Sequence, residues 1–287
     1  MDAVGESPEG VRFSLFIKQT MSPKVSKIFR TIQVQFPGLQ DAKFVVQKSY
    51  RRVFKKTHEV DFDLLTYFHT KHDDVFVDIG ANRGDAIQSI LIKKPNVRVV
   101  AFEPNELVAN KILKEFGADD RVTVHNCGLG SVQASFNLFV PFYNNYMFDG
   151  LASFKRENAE DWLRKRLFNF KEEKLEIKEI VCKVDRLDNF GLAPKFLKID
   201  VQGFEYEVLV GATETLKRHR PIILMEAPKE KELKFLQDLS YEPLIYKNEK
   251  LHRGSNNYNV FFFPTEKIHE VASVLAENPS KIGAEKV

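Results

Sequence analysis

The stretch "VFVDIGANRG", residues 75–84, decides the reading of this chain. An unbroken apolar run ends on Asp78 and Ile79 and gives way at once to Gly80, Ala81, Asn82 and Gly84, the pattern of a buried strand stopping at a tight turn. A helix follows from Asp85 to Lys93. Turns leaving the carboxyl end of a parallel strand form the crevice where doubly wound sheets hold ligands. Gly80 and Gly84 admit a sharp turn and a close approach of ligand to backbone, Ala81 keeps the way clear, and the helix behind them offers free N–H groups.

A dinucleotide would ask for G-x-G-x-x-G here, but Asn82 and Asp85 occupy the second and third glycine positions. Asp78 and Asp85 suit instead a ligand with a cationic end. Glu103 closes the next apolar run, "RVVAFE", about 25 residues after Asp78, where a carboxylate accepts hydrogen bonds from both hydroxyls of a ribose. Together these residues point to a nucleoside with a charged tail that is not a phosphate.

Outward from this corner, strands and helices alternate. "RVVAFE", a helix from Glu106 to Phe116 and "RVTVHNC" follow; then come "KFLKIDV", a helix from Phe204 to about Lys217, "PIILMEA" and a helix near Lys229 to Leu239. "EPLIYK" and "NYNVFFF" close the series and read as an antiparallel edge. Such alternation predicts an α/β fold with a mostly parallel sheet covered on both faces. Between "RVTVHNC" and "KFLKIDV" about 70 residues are irregular, with a helix in "ENAEDWLRKRLFNF" and a strand in "EIKEIVCKV". Ahead of the corner, Ser22 and Pro23 start a helix with Val25, Ile28, Phe29 and Ile32 on one face, and a second helical segment runs from Asp61 to His69. Residues 1–70 are therefore expected to form a basic helical extension and 71–287 the main domain, with an insertion at about 141–180 covering the substrate.

Composition sets outer bounds. Of 287 residues 43% are hydrophobic and 29% charged, which excludes disordered and fibrous classes. Cys127 and Cys182 make neither a disulfide framework nor a C-x-x-C metal pattern, and the amino terminus lacks the apolar core of a secretory signal, so a cytoplasmic protein is expected. Net charge is only +3, yet Arg12 to Lys56 holds eleven Lys or Arg against Asp41 alone, leaving 32 basic against 39 acidic residues elsewhere. That asymmetry suits an anionic neighbour, either an acceptor or a membrane surface touched peripherally.

Four motifs in order, "VDIGANRG", "AFEPN", "FLKIDVQGFEYEVLVGA" and "RPIILMEA", together with the terminal "NVFFFP", resemble the FkbM family of S-adenosylmethionine-dependent methyltransferases. The resemblance implies a class I, Rossmann-like sheet of seven strands with the last antiparallel, and methyl transfer to a hydroxyl of a sugar, glycan or natural product. It also implies that Asp78, Gly80, Ala81, Asn82 and Gly84 line the methionine end, that Glu103 holds the ribose with Asn105 supporting that corner, and that Asn126 and Cys127 edge the adenine. Asp200 would lie beside the transferable methyl with Glu205 as a second carboxylate. At Gln202 the family commonly has glutamate.

An alcohol is a very weak acid, so Asp200 or Glu205 would take its proton or hold a divalent metal; a base or orienting role is favoured and no metal site is assigned. Lys198 shares the face of Asp200, and Glu226 ends the next strand. Phe142, Tyr143, Tyr146 and Phe148 would stack on sugar rings, Asn144 and Asn145 would read hydroxyls, and Ser153 would face either ligand. Three other readings stand beside this one. A nucleic-acid methyltransferase is encouraged by the basic extension but lacks a Pro-Pro-aromatic motif at "IDVQG"; a non-catalytic cofactor-binding scaffold is left open by Gln202; a nicotinamide dehydrogenase lacks its glycines.

Overall fold

A computed structural model describes residues 37–276 except 168 and 257. The helix read from Ser22 and Pro23 lies outside the described residues. Helix α1 (Pro37–Phe54) and a 3-10 helix (Val60–Tyr67) lead into β1 (Val75–Ile79), α2 (Asp85–Lys93), β2 (Arg98–Phe102), α3 (Glu106–Phe116) and β3 (Val122–His125). Then come β4 (Gly128–Leu129), β5 (Ala134–Tyr143), β6 (Tyr146–Met147), α4 (Arg156–Arg166) and β7 (Leu175–Asp185). Alternation resumes with β8 (Pro194–Ile199), α5 (Glu205–Gly211), α6 (Thr213–His219), β9 (Ile222–Glu226) and α7 (Glu230–Asp238). The described chain ends with β10 (Tyr241–Lys247), β11 (Lys250–Arg253), β12 (Asn259–Pro264) and a further 3-10 helix (Thr265–Val274).

One sheet has eight strands in the order β11-β10-β12-β9-β8-β1-β2-β3, with β3, β2, β1, β8 and β9 parallel. The α/β class, the parallel core and the antiparallel pairing of the last two expected strands agree with the sequence reading; their order and the outermost strand were not foreseen. Strand β12 slots between β9 and β10, antiparallel to both, and β11 is the added eighth strand at the edge. Burial explains the order: Val260, Phe261, Phe262 and Phe263 are all fully buried, so β12 needs cover on both faces and a neighbour on each side. In β11 only Leu251 is buried, which an edge tolerates.

Alternation along each strand divides the core. Phe76, Phe196, Leu224, Phe261 and Phe263 face one side with α2 and α3; Val77, Leu197, Ile199, Met225 and Phe262 face the other with α5, α6 and α7. The segment expected as part of an extension belongs to this core: Phe62, Leu64, Leu65 and Phe68 pack in the first cluster, so a boundary at residue 70 would cut through it. Helix α1 docks through charge, with Lys48 on Glu115 at 2.5 Å and Arg51 on Asp85 at 2.7 Å, so part of the basic run is neutralised within the chain.

The irregular stretch is in fact a four-stranded sheet, β4-β7-β5-β6, whose ten-pair β5–β7 ladder spans Ala134 to Tyr143. Asn144 and Asn145 both have positive φ, 54° and 61°, and make the two-residue turn from β5 to β6. The expected helix in this region is α4, and the expected strand is β7.

Candidate functional site

Strand β1 pairs with β2 on one side and β8 on the other, so the carboxyl ends of β1 and β8 flank the point where strand order reverses. Gly80 and Ala81 N–H groups both donate to the Phe102 carbonyl at 3.0 Å, folding the corner across the end of β2. Gly80 has φ +77°, and a β-carbon there would overlap the Asp200 carbonyl oxygen. The close approach it permits is thus to the backbone of the neighbouring strand. Gly84, expected at the methionine end, serves packing in the same way: it has φ +78°, and a β-carbon would sit 2.7 Å from the Phe116 ring.

Two cavities open beside this corner and share Asn82 and Asp200. The smaller, of about 110 Å³, is walled by Gly80, Glu103, Gly128, Ser153 and Phe154. The larger, of about 190 Å³, is walled by His58, Glu59, Ala81, Lys198 and Glu226.

Glu103 is 7% exposed; its two oxygens accept the Asn82 N–H at 2.8 Å and the Asn105 N–H at 2.9 Å. Burial pushes its carboxyl up to about 7 against the pull of those two N–H groups. Asn105 donates its N–H to Glu103 and also caps α3, its Oδ1 accepting the Leu107 N–H at 3.1 Å. Asn126 lies further out: its amide donates to the Glu103 and Pro104 carbonyls at 2.9 and 3.3 Å. Cys127 packs half-buried against the core, and burial with the Asp185 charge pushes its thiol up to about 11. The cavity wall below them is made by Gly128 and Leu129 rather than by either expected residue.

Lys198 organises the charges. Its ammonium is 3.3 Å from Asp78 and 3.4 Å from Asp200 and donates to the Gly80 carbonyl at 3.0 Å. Asp78 is fully buried with Lys198 as its partner; burial raises its pKa, against the Lys198 charge. Burial also works to raise Asp200, but Lys198 with hydrogen bonds from Glu226 and Gln202 overcomes it and holds Asp200 below the ordinary carboxylate value. Gln202 Nε2 bridges Asp200 at 2.9 Å and Glu226 at 3.3 Å, keeping the reach a glutamate would have without its charge. Burial and the neighbouring Asp200 push Glu226 up to about 7.

Glu205, expected as a second catalytic carboxylate, is turned into its own loop. Its Oε1 accepts the Val201 N–H at 3.3 Å and the Gly203 N–H at 3.0 Å, steadying the turn that carries Gln202. Tyr143 and Tyr146 are buried, and Phe142 and Phe148 pack in small clusters of the second sheet, so these aromatics serve packing and not sugar stacking. Asn144 and Asn145 are spent on the hairpin turn. Ser153 does reach the smaller cavity.

Sequence reasoning missed His58, Glu59, Arg83 and Asp149. Arg83 forms a 2.6 Å ion pair with Asp149, tying the corner to the second sheet, and lies 4.1 Å over the Phe44 ring. Its place inside "ANRG" was the available signal; the other three are far from any motif. Among the described residues no three His, Cys, Asp or Glu side chains group as metal ligands, and no helix is long and apolar enough to cross a membrane.

A parallel switch-point crevice with a buried acid after β2 and no phosphate fingerprint belongs to a class I α/β domain. The family model for the methyltransferase FkbM domain matches residues 78–260, and the chain belongs to that S-adenosylmethionine-dependent family. It is similar to the AMB antimetabolite synthetase AmbE of Pseudomonas aeruginosa, 30% identical over 177 residues, covering 53% of this chain and only 8% of that protein. Among solved structures it is similar to the methyltransferase FkbM of Methylobacillus flagellatus KT, with 18% identity and a TM-score of 0.43, covering 68% of this chain and 45% of that one. It is also similar to fibrillarin of Aeropyrum pernix with natively bound S-adenosyl-L-methionine, with 14% identity and a TM-score of 0.35, covering 71% and 72%.

The residues at the crevice fit this methyl donor. Asn82 Oδ1 is buried and unpartnered, and each Glu103 oxygen has spent one lone pair on a backbone N–H, while Asp78 lies behind the cavity wall as a partner of Lys198. The ammonium and hydroxyl donors of such a ligand are what these acceptors lack.

Proposed function

We propose that this protein transfers a methyl group to a hydroxyl oxygen of a sugar, glycan or natural product. The observation that carries the reading is the Asp200, Gln202 and Glu226 chain above Lys198, at the junction of the two cavities. When bound, S-adenosylmethionine supplies an electrophilic methyl on a sulfonium. Glu103 holds the ribose, and Asn82 and Asp78 favour the methionine end. Asp200 is held ionised by Lys198, which makes it a weak base and a good acceptor for the acceptor's O–H. Its part is to align that oxygen for in-line attack, where geometry supplies much of the acceleration.

Calorimetric titration with S-adenosylmethionine and S-adenosylhomocysteine, on the parent chain and on Asp200→Asn, tests the first half. Both ligands should bind both proteins. Radiolabelled methyl transfer to a panel of glycosides tests the second, with transfer at least about tenfold lower in Asp200→Asn. Absence of binding by folded parent protein overturns the reading.

A further inference from the structure

Building on that function, we propose that the larger cavity is the acceptor subsite and that His58 Nε2 takes the proton from the reacting hydroxyl of a polyol bearing no phosphate or carboxylate beside it. His58 lies between α1 and the first 3-10 helix, outside the family-matched residues 78–260. Its side chain is 16% exposed and shares the cavity wall with Lys198, Asp200 and Glu226.

The hydrogen bonds around the ring set its tautomer. Ser89 Oγ donates its single proton to the Asp85 carbonyl at 3.0 Å. The same oxygen receives the His58 backbone N–H at 3.0 Å and lies 2.8 Å from His58 Nδ1. With the serine proton spent, the short contact is satisfied by Nδ1 as donor, and Nε2 is left with a free lone pair. Phe62 packs on the ring with centroids 4.6 Å apart, fixing its plane. Burial lowers the imidazole pKa, the carboxylates of Glu59 and Asp85 oppose it, and Lys198 and Arg51 reinforce it. A neutral ring therefore shares the cavity with an ionised Asp200, which separates the base from the orienting group.

The walls also select charge. Asp85 is paired with Arg51 at 2.7 Å, Arg83 with Asp149 at 2.6 Å, and Lys198 is shared by Asp78 and Asp200. Among the described residues no Lys or Arg pairs with Glu59 or Glu226; Glu59 receives the Asn259 amide at 2.8 Å, and Glu226 receives the Gln202 amide at 3.3 Å and donates to Asp200. A phosphate or carboxylate there would face the charges of Glu59 and Asp200, whereas O–H donors of a polyol would satisfy them. This reverses the expectation of an anionic acceptor. In the reaction the hydroxyl oxygen bonds to the methyl carbon as the carbon–sulfur bond breaks, the bonding pair stays on sulfur, and the hydroxyl proton passes to Nε2. The resulting imidazolium has Glu59 3.8 Å from Nε2.

Histidine 15N shifts of the full chain, saturated with S-adenosylhomocysteine, test the tautomer without needing a variant. His58 should show a protonated Nδ1 and an unprotonated Nε2 at pH 7.5, and Ser89→Ala should mix the two tautomers. The opposite tautomer, or a ring protonated at that pH, overturns the proposal. His58→Gln should bind S-adenosylhomocysteine within about twofold of parent yet transfer label from S-adenosylmethionine about 100-fold or more slowly. A parallel loss of ligand affinity would make His58 a donor-site residue and overturn its role as base. Neutral methyl glycosides and their 6-phosphates offered together should be labelled only in the neutral set; label in the phosphates, or in neither, overturns the acceptor class. Failure of the parent to bind either ligand refutes the methyltransferase function itself, whereas binding with the wrong tautomer refutes only the role of His58.

Discussion

Replacing Glu103 by Gln separates the cost of burying a charge from the use made of it. Burial lifts the Glu103 carboxyl to about 7 from an ordinary 4.5. Because the folded value lies above the unfolded one, the folded state holds a proton that the unfolded state has lost between about pH 4.5 and 7. Stability is therefore present at low pH and falls as pH rises through that window. A shift of this size corresponds to about 3 kcal/mol lost by pH 8. Gln carries no charge and removes that slope, but its single carbonyl oxygen can match only one of the Asn82 and Asn105 N–H groups. The unmatched donor costs about 1–3 kcal/mol at every pH. Glu103→Gln should thus be less stable than parent at pH 5 and close to it at pH 8, by urea unfolding at both values. A gap between the two proteins that does not change with pH refutes the reasoning. S-adenosylhomocysteine should bind the variant about 10- to 100-fold more weakly at pH 8, the worth of a charged acceptor for ribose hydroxyls.

Lys198→Met strands the fully buried Asp78 and should cost about 3–5 kcal/mol, with much of it recovered in the Asp78→Asn, Lys198→Met double variant; chemical denaturation that finds the single variant unchanged removes the ion pair from the argument. Gly80→Ala should lose more stability than Gly191→Ala, since both have positive φ but only the first would overlap backbone; equal melting temperatures would contradict this. Iodoacetamide should label Cys127 at pH 8 about two orders of magnitude more slowly than a free cysteine, by intact mass, because its thiol titrates near 11. The basic run from Arg12 to Lys56 should favour anionic over neutral vesicles in co-sedimentation, and equal recovery from both would refute a membrane-facing role.

Much of the crevice was legible because its signals are local. A five-residue apolar strand, a corner with positive φ at Gly80 and Gly84, and an acid at the end of the next strand are each written within a few positions. The same locality misled at Asn144 and Asn145, where two asparagines between alternating residues read equally as a hydroxyl sensor and as a type I′ turn. Glu205 shows the limit of charge type as evidence: a carboxylate at a helix start is as well used by its own loop's N–H groups as by a substrate.

By itself the sequence determined the alternation of strand and helix, the parallel core, the switch-point corner and the acid that follows the second strand, since hydrophobic period and turn chemistry act over neighbouring residues. The tertiary structure alone decided that β12 enters between β9 and β10, that residues 128–185 fold into a second sheet, and that Gly80 makes room for Asp200. It also brought His58 to Ser89, 31 positions away, and set His58 in the cavity of Asp200. Such pairings depend on which buried faces meet once the whole chain has collapsed, and no short window of sequence records that.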